Sequence, residues 1–159
     1  MKHDMKRVRE AAAFALAECA RPTTEVLTAF EEAILNATPW SWEVAHLLQA
    51  LSCLAARSHA LGEICHSQRC VELAMPYVLP SAGHNLICEH ACLVVLLAGE
   101  LQGEVGEVAV AALRTIIDKS ADPYTVGFAA EILRRQNLES EPSDFGMSEL
   151  QEKSTDTEG

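Results

Sequence analysis

Prolines at near-constant spacing constrain this chain most. Pro39, Pro80 and Pro123 lie 41 and 43 residues apart, each ahead of a stretch in which apolar residues return every three or four positions. That return is the period of a helix with one buried face. Proline lacks an N–H and keeps the residue before it out of the α region, so a helix starts at such a site rather than running through it. Thr38-Pro39 and Asp122-Pro123 also place a capping side chain just before the proline, which suits a first helical turn. No stretch alternates apolar and polar residues with period two, so no strand is predicted.

The punctuation predicts seven helices. The first covers about Lys2 to Ala20, where Val8, Ala12, Ala15, Leu16 and Cys19 form one apolar stripe, and Arg21-Pro22 ends it. The second follows Thr23 and Thr24, carries Val26, Leu27, Phe30, Ile34 and Leu35, and ends near Ala37. The third starts at Thr38-Pro39 and runs to about Ser58. Gly62 separates it from a fourth, which Leu79-Pro80-Ser81 closes. The fifth, about Asn85 to Ala98, is apolar nearly all round, the pattern of a helix covered on several sides. Gly99 to Gly106 makes a turn, and the sixth helix covers about Val108 to Lys119. The seventh starts at Asp122-Pro123 and ends near Arg134-Arg135, bases that suit the negative end of a helix. Short connections imply antiparallel neighbours. The expected fold is therefore all-α: about seven antiparallel helices stacked as helical hairpins, α-solenoid-like or an irregular helical bundle.

Composition sets the limits on function. The chain has 159 residues, 49% of them hydrophobic but only 5% aromatic, so its core must be aliphatic. Net charge is −11. An acidic surface repels phosphate, which excludes nucleic acid as the expected partner and favours a basic protein. Beyond Gln136 stand Glu139, Glu141, Asp144, Glu149, Glu152, Asp156 and Glu158 against Lys153 alone. Such a stretch buries too little apolar surface to fold alone. The expected division is a helical domain at 1–136 and a disordered acidic tail at 137–159. The longest apolar run, ACLVVLLA from Ala91 to Ala98, is bracketed by Glu89, His90 and Glu100. It is far short of the about 20 residues that span a bilayer, so no membrane span is expected. The opening MKHDMKRVRE has no apolar leader, and several of the six cysteines lie in apolar helical stretches. Both features suggest reduced thiols and a cytoplasmic protein.

An internal echo accompanies the prolines. At an offset of 41, Leu47 meets Cys88, Ala50 meets Ala91, Leu51 meets Cys92, Leu54 meets Val95 and Met75 meets Ile116. Gly62-Glu63 meets Gly103-Glu104, so the turns coincide. From Pro39 to Arg135 the chain thus resembles short helical-repeat proteins of the HEAT class, or a tetratricopeptide array of longer period. The resemblance implies a curved stack whose concave face binds proteins or peptides.

Two sets of residues are candidate sites. Trp40 and Trp42 flank the start of the third helix, where exposed indoles would anchor a partner. Their other reading is structural, one of them stapling the turn to helix two. Phe145 and Leu150, with Asp144 and Met147, form a small apolar and acidic island in the tail that would dock on a partner or on the body. The second set is Cys65, His84, Cys88 and Cys92. On a helix already formed at His84, residues 84, 88 and 92 share a face, and the neighbouring helix would add Cys65. Thiolate and imidazole are zinc ligands, although HExxH and CxxC patterns are absent. No phosphate loop or nucleophile elbow occurs. The leading expectation is a non-enzymatic protein-interaction module without cofactor: an adaptor, inhibitor, immunity factor or secretion-type chaperone. The alternative is a zinc-binding regulatory protein. A homo-dimer through the first helix is a further expectation.

Overall fold

Three helices start where a side chain satisfies their first free N–H groups. In the computed structural model, which describes residues 2–19, 21–80, 83–99 and 103–136, Thr23 accepts from Val26 at the head of α2 (Thr24–Asn36). Ser41 does the same for α3 (Trp42–Ala60) through the Val44 N–H. Asp122 accepts from Tyr124 and Thr125 at the head of α7 (Pro123–Arg135). Removing such a cap typically costs about 1 kcal/mol. The other helices are α1 (Lys2–Cys19), α4 (Ile64–Ala74), α5 (Asn85–Leu97) and α6 (Glu104–Lys119), with a short 3-10 turn at Met75–Tyr77 after α4. The described residues hold no strand, so the protein is all-α.

The prolines punctuate differently from expectation. Pro123 alone of the three is the first residue of a helix. Pro39 lies three residues ahead of α3 and Pro80 five ahead of α5. Ser41, not Thr38, caps α3, because the chain first makes a left-handed step at Trp40 with φ +58°. α6 also begins earlier than the periodicity suggests, at Glu104. Glu104 and Glu107 occupy its first turn, where carboxylates suit the positive helix end.

α3 and α5 form the centre and pack on each other more extensively than any other pair. α1 lies on the far side of α3, and α7 on the far side of α5. α4 packs against α3 and α5, α2 against α3 and α4, and α6 against α5 and α7. The odd-numbered helices thus make one layer and the even-numbered ones back it. Leu48, Leu51 and Leu54 of α3 meet Val94, Val95 and Leu96 of α5 in the same buried core. Full burial of each such side chain contributes about 1.5–3 kcal/mol. Of the five matched pairs, Leu47 and Cys88, Ala50 and Ala91, Leu51 and Cys92, and Leu54 and Val95 are buried at both members, whereas Met75 is half-buried against a buried Ile116. Among the described residues no helix is long and apolar enough to cross a membrane.

α1 turns the opposite way from its expected stripe. Ala13 and Ala17 are buried and Phe14 is half-buried, while Val8, Ala12, Ala15 and Leu16 stay exposed. The reason lies in its support. α1 rests on α3 rather than on α2, held by an ion pair from Arg9 to Glu43 (3.1 Å) and by Arg57 donating to the Glu18 carbonyl. Phe14 meets the edge of His46. The contact is narrow and suits alanine, so the larger residues are left outside.

Candidate functional site: an aromatic hollow between two loops

The left-handed step at Trp40 is costly. For a bulky L-residue it amounts to about 1–2 kcal/mol, because Cβ crowds the following carbonyl. What holds it is aromatic packing. The Trp40 ring lies 5.0 Å from that of Tyr77, tilted by 71° in an edge contact, and 5.5 Å from His84. Tyr77 comes from the 3-10 turn after α4, and His84 is the residue at which α5 begins. Such ring pairs contribute about 0.5–1.5 kcal/mol each beyond burial, enough to offset the strain. Burial also raises the Tyr77 hydroxyl above its usual pKa, so it stays neutral.

Trp42, two residues on, is the first residue of α3 and its side chain is 69% exposed. Between the two indoles opens a hollow of about 320 Å³, lined also by Ser41 and Ala45 of the α3 start and by Gly83, His84, Leu86 and Ile87. Its walls offer stacking faces, aliphatic surface and one imidazole. Recognition of an apolar or aromatic side chain fits such walls, since buried aromatic anchors carry much of the energy of protein interfaces. Phe145 and Leu150, the other candidate anchors, lie outside the described residues.

The four Cys and His candidates separate into three places. Cys88 and Cys92 lie together, with sulfurs 3.9 Å apart. Both donate to the Val78 carbonyl, Cys88 at 2.8 Å and Cys92 at 3.8 Å. The Cys88 contact and burial push the Cys92 thiol far above its ordinary pKa. Burial likewise pushes nearby-helix Cys70 up to about 12. His84 is half-buried and turned onto Trp40. Cys65 lies on the exposed side of α4, in a recess shared with Thr24, Thr28 and Glu31 of α2. Among the described residues no three His, Cys, Asp or Glu side chains gather in a metal-binding arrangement.

Two further perturbed groups stand side by side on α5, and the apolar run hides them in the sequence. Glu89 and His90 look like the polar border of an apolar run, yet both are buried, Glu89 completely. Among the described residues neither Glu89 oxygen has a hydrogen-bond partner, and neither does His90 Nδ1. Burial, with a smaller push from Asp122, raises the Glu89 carboxyl to about 8. Burial, then His46, lowers His90 to about 4. Near neutrality both are largely uncharged. The signal for Glu89 lay in the echo: at an offset of 41 it takes the place of Leu48, itself fully buried. No family model, no curated protein and no solved structure matches the chain.

Proposed function

We propose that this chain is a non-enzymatic protein-interaction module built as a short HEAT-like helical stack, acting in the cytoplasm as an adaptor, inhibitor or chaperone. The observation that carries the proposal is the Trp42 indole, 69% exposed at the lip of a concave aromatic hollow. Water against so large an apolar ring is unfavourable, and its removal by a partner returns that energy. The net charge of −11 favours a partner with basic residues around an apolar anchor. Affinity capture from the native cell, followed by mass spectrometry, identifies the partner. Its affinity is then measured for the wild type and Trp42→Ala. A hot-spot loss of about 2 kcal/mol, about 30-fold in Kd, is expected with unchanged folding stability. A partner bound equally well by Trp42→Ala would remove the hollow from the function.

A further inference from the structure

The two ends of the helical stack are finished differently. At one end, the exposed side of α7 carries Tyr124, Gly127, Glu131 and the two arginines that follow. Glu131 pairs with Arg134 at 2.7 Å and Arg135 at 2.9 Å. A polar end of this kind is what stacked helices need to stay in water. At the other end, the outward side of α1 carries Met5, Val8, Ala12, Ala15 and Leu16, with Met5 65% and Val8 67% exposed. From Met5 the spacing to Val8, Ala12 and Ala15 runs three, four, three, the seam pattern of two helices wound together. Beside the seam, α1 and α2 leave a groove walled by Ala12, Leu16, Ala29 and Ala33 and floored by Phe30 and Leu47. Alanine walls let a helix approach closely.

Charge and symmetry indicate what covers this end. The first half of the α1 sequence (2–10) holds Lys2, Lys6, Arg7 and Arg9 against Asp4 and Glu10, and the second half (11–19) holds Glu18 with no base. Two copies of α1 laid antiparallel set the basic half of each beside the acidic half of the other, and oppose their helix dipoles. A parallel pair would stack bases on bases. Because the α7 end is polar, one apolar end of the stack remains among the described residues. Association through a single end is isologous and closes at two copies, whereas a filament needs a second adhesive surface. We propose that α1 is the interface of a two-fold dimer of this chain, with the Met5, Val8, Ala12 and Leu16 ridge of one copy antiparallel to that of the other, beside the groove between α1 and α2. This reading does not use the aromatic hollow.

Sedimentation equilibrium of the full chain at micromolar concentrations tests it. The wild type is expected at twice the 17.3 kDa chain mass. Val8 and Leu16 are exposed, so Val8→Glu and Leu16→Lys leave the fold in place, which circular dichroism checks. Each variant alone is expected at the single-chain mass. Antiparallel packing sets position 8 opposite position 16, so mixing the two variants is expected to restore the dimer. Tyr124→Glu, at the polar end, is expected to leave the dimer intact. A wild-type mass of 17.3 kDa, the result if the chain's own acidic tail filled the groove, overturns the proposal. So does a dimer that survives Val8→Glu, or one that Tyr124→Glu abolishes. A mixture that stays monomeric overturns the antiparallel arrangement.

Discussion

Glu89 places a carboxyl in the core with neither oxygen hydrogen-bonded among the described residues, and this makes the stability of the protein depend on pH. Burial and Asp122 raise the group from 4.5 to about 8. In the unfolded chain it loses its proton near 4.5, so between 4.5 and about 8 the folded state holds one proton more. Stability therefore falls as pH rises through that window, by about 5 kcal/mol in total at about 1.36 kcal/mol per pH decade. His90 acts in the opposite sense. Its folded value is lowered from 6.5 to about 4, so stability is lost as pH falls through that range. Between 4.5 and 6.5 the two slopes nearly cancel. From 6.5 up to about 8 Glu89 acts without its counterweight, and about 2 kcal/mol is expected to disappear. Urea unfolding of the wild type and Glu89→Gln, at about pH 6.5 and about pH 8.5, measures this directly. The wild type should lose about 2 kcal/mol of stability that the glutamine variant retains. Parallel pH profiles for the two proteins would refute the reasoning.

Two further substitutions probe the backbone. Gly99 has φ +92°, and a Cβ there would lie 2.5 Å from the His59 ring. Gly99→Ala is expected to cost about 1–2 kcal/mol in urea unfolding from backbone strain, since the exposed His59 ring can swing aside, and adding His59→Ala should not restore the stability. Trp40→Ala removes the contacts with Tyr77 and His84 that hold the left-handed step. It is expected to destabilise by about 2 kcal/mol in the same assay, against about 0.5 kcal/mol or less for Trp42→Ala.

The sequence announces helices more clearly than it announces their faces. The limits of α2, α5 and α7 were legible because caps, glycines and terminal arginines act locally. The start of α3 was not, because Trp40 is held out of helical geometry by Tyr77, which only the fold brings near. In α1 alanines occur on every side, so periodicity permits two buried faces, Val8 to Leu16 or Ala13 to Ala17. Support by α3 selects the second. Trp40 and Trp42 were legible as candidates from residue type alone. The hollow between them was not, since half its wall comes from Gly83 to Ile87. Glu89 was misjudged as a border residue because a carboxylate ordinarily argues for solvent. Cys65 was grouped with Cys88 and Cys92 from helix adjacency, but it is on the exposed side of its helix while they are buried.

The aromatic hollow draws its walls from the heads of α3 and α5, which belong to successive helical hairpins and pack on each other. It exists only while those hairpins are seated on each other. Whatever occupies it must therefore favour the seated arrangement over any in which they slide apart, by RT ln(1 + [L]/Kd) for an occupant that binds no other state. Occupancy and rigidity become linked quantities. A guest at the lip of the stack would tighten the joint between its two central members, and a loosened joint would in turn release the guest.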